Sequence, residues 1–166
     1  MQLRTSRFGK ITVNVKDAVT FEDGLPGFDG KQRFVFLPHR TAAGQDSPFC
    51  WMQSLENGNL AFPVVNPWSV RPDYAPTIPG YAMRQVGIQD VAEQARLYAI
   101  VTIPRDEPQK VTVNLLAPVL VNKKSRLGKQ VVLQTEEYSI RQSLVEPAAP
   151  QAQIAPKNER QLAAAA

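Results

Sequence analysis

Two residues of this 166-residue chain could form a nucleophile and its base: Cys50 and the sole histidine, His39. A thiol becomes a nucleophile only where an electropositive, accessible setting favours the thiolate. Cys50 stands instead between Phe49 and Trp51 in an apolar run, which is the setting of a buried, inert thiol. A single histidine also excludes a multi-histidine metal site. Glu136 and Glu137 are adjacent, and neighbours on a strand point to opposite faces, so they cannot act as a two-carboxylate acid/base pair. Asp23-Gly24-Leu25-Pro26-Gly27-Phe28 has the glycines of a phosphate cradle. No Lys-Ser/Thr follows it and no helix start is evident, so it reads as a turn pinned by buried Leu25 and Phe28. Walker loops, dinucleotide fingerprints and Gly-x-Ser-x-Gly elbows are missing. These observations describe a binding module, not an enzyme, and call for no cofactor.

Cations offer the other chemistry. The net charge is +4, and the one tight basic cluster is Lys123, Lys124, Arg126 and Lys129. A basic β-barrel could bind RNA through such a cluster, with an affinity that falls steeply with salt. The cluster lies in a hairpin turn without interleaved aromatics, where solvated lysines are ordinary. RNA binding is therefore the second reading, and direct contact with nucleic acid is not expected.

The elements that must position these groups are mostly strands. From Val111 to Val121 every odd position is apolar, a period of two that predicts one long strand with one face in a core. Pro118 cannot donate a ladder hydrogen bond, so that strand is bulged, bent or at an edge there. Lys123 to Gly128 turns the chain, and Gln130 to Leu133 returns as the hairpin partner. Earlier strands are expected over Ser6–Val15 (kinked or turned at Gly9-Lys10), Asp17–Phe21, Arg33–Pro38, Phe49–Leu55 and Leu60–Val65. Glu56-Asn57-Gly58-Asn59 joins the last two as a hairpin turn, and Pro63 marks an edge or a bulge. Leu97–Pro104 reads as a central strand. Pro79–Val86 is the best candidate helix, closed by Gly87, with a second short turn at Asp90–Gln94. The whole is an all-β fold with one or two short helices.

Asn66 to Pro76 breaks the pattern. Three prolines forbid regular pairing, and the segment carries Trp68 and Tyr74 near the surface. Either these aromatics fold back over the core or they are presented to a partner. Tyr138–Arg141 is the last ordered piece expected of a domain over residues 1–142. Residues 143–166 are rich in Ala, Pro and Gln and read as a disordered tail. No stretch approaches the ~20 apolar residues that span a bilayer. Met1–Arg7 lacks the apolar run of a secretory signal, and one cysteine forms no internal disulfide, so the cytoplasm is the expected compartment.

In order along the chain come Gly24-Leu25-Pro26-Gly27-Phe28, Ser47-Pro48-Phe49, Trp51-Met52-Gln53-Ser54-Leu55-Glu56, Leu60-Ala61-Phe62 and Val64-Val65-Asn66-Pro67. Asp73-Tyr74, Ile100-Val101-Thr102-Ile103-Pro104, Asn114-Leu115-Leu116-Ala117-Pro118 and Lys129-Gln130-Val131-Val132-Leu133 follow. From about Thr5 to Arg141 this series resembles the flagellar assembly factor FliW family. The resemblance implies a small antiparallel, barrel-like β protein without cofactor or catalytic activity. It also implies two protein partners: flagellin, bound before export, and CsrA, the RNA-binding regulator that blocks flagellin translation. Flagellin that accumulates would occupy the factor and leave CsrA free to repress; after export, the released factor would sequester CsrA. Trp68, Tyr74 and Met52 are the expected apolar anchors, with Gln53 and Asn66 as polar neighbours. One departure stands out: family members that antagonise CsrA are acidic. Setting aside Arg141, Lys157 and Arg160, and Glu146 and Glu159, leaves 16 basic and 13 acidic side chains in residues 1–140, a balance of +3.

Overall fold

The computed structural model describes residues 1–28, 30 and 32–144. Its frame is a nine-stranded antiparallel sheet. In spatial order its main path is β10 (Gly128–Gln130), β9 (Val119–Asn122), β7 (Ala95–Thr102), β6 (Ala61–Val65), β5 (Asp46–Ser54), β4 (Arg33–Arg40) and β3 (Val19–Thr20). Two short strands, β8 (Thr112–Val113) and β11 (Gln142–Ser143), extend β7 on a side path. The N-terminal hairpin of β1 (Gln2–Thr5) and β2 (Gly9–Thr12) stands apart as a two-stranded sheet. Helices are short: α1 (Pro67–Val70), α2 (Gly80–Val86) and α3 (Val91–Gln94).

The sheet curls until its two ends meet. Thr20 of β3 bridges Leu127, just before β10, and its N–H donates to the Arg126 carbonyl at 2.9 Å. Gly128 permits this closure, since a Cβ there would sit 2.7 Å from Val19 Cγ1 and 2.8 Å from the Phe21 ring. A barrel-like body results, and closing a sheet in this way removes free edges.

Alternation along the strands then divides the apolar residues between two cores. Phe34, Met52, Val64, Val119 and Val121 point inward, with Val19, Phe21 and Leu25, to fill the barrel. Ala95, Leu97, Ala99 and Val101, the odd positions of β7, face outward against α2, the 111–115 segment and Tyr138. A third, smaller cluster packs the N-terminal hairpin against the outer face of β4 through Val13, Val35 and Leu55. The middle of the sheet is thus covered on both faces, which is why Phe49–Met52 and Ala61–Val65 are apolar without a break.

The stretch expected as one long strand is two. Its odd positions are all buried, as the period of two requires, but they do not share one core. Val111, Val113 and Leu115 join the outer cluster, whereas Val119 and Val121 fill the barrel and the even Leu120 goes outside. The inversion occurs at Asn114–Pro118, where the Asn114 carboxamide accepts from the Ala117 N–H at 2.9 Å and Pro118 offers no donor. The hairpin that follows is present, with β10 starting at Gly128 and pairing Val121 with Gly128. Val131 N–H and Leu133 N–H still donate to the Pro118 and Leu116 carbonyls, so the return extends through the expected residues.

Other expectations shift. The turn of the first hairpin lies at 6–8, before Gly9, because the Thr5 hydroxyl donates to the Gly9 carbonyl and accepts from the Phe8 N–H. Leu25 is buried but Phe28 is not; its ring packs edge-on to Phe62 at 4.9 Å. Pro38 sits within β4, opposite Cys50, and the irregularity falls just after it. At Pro63 β6 pairs only with β5, its ladder to β7 being confined to Val64 and Val65, so that position is an edge on one side. Helix α2 forms where expected and ends at Gly87 in the left-handed region (φ 77°), where a glycine closes a helix at least cost. It buries Ala82 and Val86 and leaves Tyr81 exposed. The alanine- and proline-rich tail lies, from residue 145 on, outside the described residues.

Candidate functional site

The segment 66–76 is not irregular throughout. Asn66 caps the single turn α1, its carboxamide oxygen accepting from the Trp68 N–H at 2.9 Å, and Pro67 suits the first helical position. Its two aromatics part ways: Tyr74 folds back over the core and Trp68 stays at the surface. Tyr74 folds into the outer core, where its hydroxyl donates to the Leu115 carbonyl at 2.7 Å. Trp68 remains 42% exposed, yet it is held: its Nε1–H donates to the Tyr74 carbonyl at 2.9 Å and its ring meets the Tyr74 ring edge-on at 6.0 Å.

A second layer fixes that platform. The Tyr138 hydroxyl accepts from the Ala75 N–H at 2.9 Å, and its ring packs edge-on to Tyr74 at 4.6 Å. Arg71 lies over the Tyr138 ring at 4.8 Å, donates to the Glu137 carbonyl and pairs with Asp73 at 3.2 Å. Trp68 is therefore a rigid, half-exposed aromatic, the kind of side chain that dominates protein interfaces.

Asn66, Trp68 and Tyr74 line the wall of one cavity of about 710 Å³, with Pro76, Val91 and Leu97 among its apolar members. Arg96 and Lys123 close one end of it beside Tyr98, and the same three residues line a second cavity of about 370 Å³ at the mouth of the barrel. There Tyr98 stacks on Phe36 at 4.4 Å, and Arg126 and Asp17 complete the rim. Burial raises the pKa of the Tyr98 phenol, with Cys50 acting in the same direction; a hydrogen bond from Arg96 and the charges of Arg96 and Arg126 oppose it.

Of the five residues expected to form a contact surface, only Asn66 and Trp68 are exposed. Met52 and Gln53 are corrected to the interior: Met52 fills the barrel, and Gln53 donates through Nε2 to the Ser54 and Leu60 carbonyls beneath the 56–59 turn. Both follow from β5 having a partner strand on each side and a covered face on each side. Tyr74 likewise acts from beneath, as the support of Trp68. Arg96 was missed, although the alternation Ala95-Arg96-Leu97 on a strand already turns it away from the outer core. The four basic residues of the hairpin do not form one patch. Lys123 and Arg126 face the cavities, while Lys129 pairs with Asp23 at 3.1 Å and lies 5.9 Å over the Tyr81 ring.

Cys50 faces Pro38 across the ladder, not His39, and burial pushes its thiol up to about 12. A thiol so placed carries no appreciable thiolate at neutral pH. Among the described residues no group of three His, Cys, Asp or Glu could hold a metal, and no helix is long and apolar enough to cross a membrane.

Comparison with known proteins gives one answer. The model of the FliW protein family matches residues 2–144. The flagellar assembly factor FliW of Thermoanaerobacter pseudethanolicus is 37% identical over 146 residues, covering 88% of this chain and 94% of that protein. That of Thermotoga maritima is 34% identical over 142 residues, covering 85% and 91%. A crystal structure of the flagellar assembly factor FliW superposes with a TM-score of 0.76 at 33% identity, covering 88% of this chain and 98% of that one.

Proposed function

The chain belongs to the FliW family of flagellar assembly factors, and from that membership we propose that it binds flagellin before export and sequesters CsrA in the cytoplasm. It acts by occupancy and without catalysis. Flagellin that accumulates holds the factor and leaves CsrA free to repress; exported flagellin releases the factor, which captures CsrA and lets translation resume. The observation that carries the reading is Trp68, a half-exposed aromatic pre-set by Asn66 and Tyr74 on the wall of an apolar groove. Such a side chain loses little freedom on binding, so its ordering subtracts little from the affinity.

Charge bears on how CsrA is antagonised. Residues 1–140 carry +3, so bulk repulsion of RNA from a complex is not the means in this chain. A conformational effect on CsrA, or a role weighted towards chaperoning flagellin, suits a positive surface better.

Calorimetric titration of wild-type protein and Trp68→Ala against flagellin and against CsrA tests the reading. Removal of a central aromatic anchor is expected to weaken at least one partner by about tenfold or more, with circular dichroism unchanged. Unaltered affinity for both would take Trp68 out of the interface.

A further inference from the structure

The groove beside Trp68 does not end in apolar surface. It adjoins the cavity at the barrel mouth, with which it shares Arg96, Tyr98 and Lys123 as lining. Three cations converge there: Arg96 from β7, and Lys123 and Arg126 from the turn between β9 and β10. Among the described residues none of the three forms an ion pair, and Asp17 is the one carboxylate lining either cavity. Lys129 in the same turn is by contrast neutralised by Asp23. Arg126 even holds a left-handed backbone conformation (φ 62°), which a non-glycine residue adopts at a cost. The Lys123 ammonium donates to the Glu93 carbonyl, which fixes its position but leaves its charge uncompensated.

We propose that the two adjoining cavities form a docking groove for an acidic, apolar segment of a protein partner. An apolar side chain of that segment lies against Trp68 and Leu97, and its carboxylates lie over Arg96, Lys123 and Arg126. The inference rests on the occupancy reading and names the chemistry of what occupies the site. Charge complementarity selects the partner: three unpaired cations beside an aromatic wall repel a basic segment and recruit an acidic one. RNA would also meet the cations. However, of the aromatic side chains that line the cavities only Trp68 is exposed: Tyr74 is buried and Tyr98 is half-buried against Phe36, so the wall lacks the successive open platforms on which single strands stack.

Fluorescence anisotropy on the full chain tests this with three labelled probes: a peptide of Glu and Phe, its counterpart of Lys and Phe, and oligouridylate. The acidic peptide should bind and the basic one should not, and rising salt should weaken the acidic complex. Arg96→Ala with Arg126→Gly should reduce its affinity by about tenfold or more. Arg126→Gly relieves the positive φ, so the variant keeps its fold, as its melting curve will report. Failure of the acidic peptide to bind overturns the proposal, as does binding that ignores both arginine substitutions. Oligouridylate that binds more tightly than the peptide, and through the same arginines, would assign the groove to nucleic acid and equally overturn it. Flagellin and CsrA titrated against the same variants separate the two levels. Both bound with undiminished affinity by the double variant would end the acidic-groove proposal while leaving the family role intact.

Discussion

Asn122 is the side chain on which most local structure converges. It is buried, donates from Nδ2 to the Val86 carbonyl at 2.7 Å, and accepts at Oδ1 from the N–H groups of Lys124 (2.8 Å) and Ser125 (3.1 Å). It thus ties the end of α2 to the turn that carries Lys123 and Arg126. Asn122→Ala would strand one buried carbonyl and leave two partly buried N–H groups to water, and a loss of about 2 kcal/mol in urea unfolding is expected. A loss below about 1 kcal/mol would show that water replaces the side chain at no great cost. Cys50 gives a second test, by pH. Its folded pKa is raised from an ordinary 9.0 to about 12, so the unfolded state gives up its proton first as pH rises. The stabilising preference for the neutral thiol is complete below pH 9 and is lost towards pH 12, with Tyr74 and Tyr98, also raised by burial, adding to the fall. Unfolding free energy should therefore decline over that window, and Cys50→Ala should make the decline shallower. An unchanged slope in the variant would place the thiol in water.

Closure of the sheet is the event that matters among the elements, and Gly128 is its narrowest point. Gly128→Ala places a methyl against Val19 and Phe21 and should cost about 1–3 kcal/mol, read from thermal or urea unfolding. A neutral effect would mean that β3 and β10 are not held together as tightly as Thr20 and Arg126 suggest. This closure could not be read from the sequence: Thr20 and Leu127 are far apart in the chain, and no periodicity reports a bridge between them. What the sequence did carry was local. Alternation located the strands, Asn57-Gly58 the hairpin, and Pro79 and Gly87 the ends of α2. The 111–121 stretch shows where alternation misleads. Burial of every odd residue is compatible with a change of core halfway, and only the Asn114 turn reveals it. The site was half legible for the same reason. Trp68 and Asn66 sit in a proline-rich break and so come to the surface, but a Met52 on a strand covered on both faces cannot. Arg96 carried a signal in its alternation, though nothing local pairs it with a turn some thirty residues later.

As a whole, the molecule is a curled sheet with a supported aromatic at one side and unpaired cations at its mouth. The proposed function makes it a surface taken up by one partner or another. The family establishes flagellar assembly. The partner switch is the claim that makes such a surface regulatory, and it predicts a result that needs all components together. CsrA binding to flagellin leader RNA would be measured by filter retention, first alone, then with saturating protein, then with protein and excess flagellin. The account predicts that the protein weakens RNA binding and that flagellin restores it. RNA affinity that stays constant across all three conditions would contradict it.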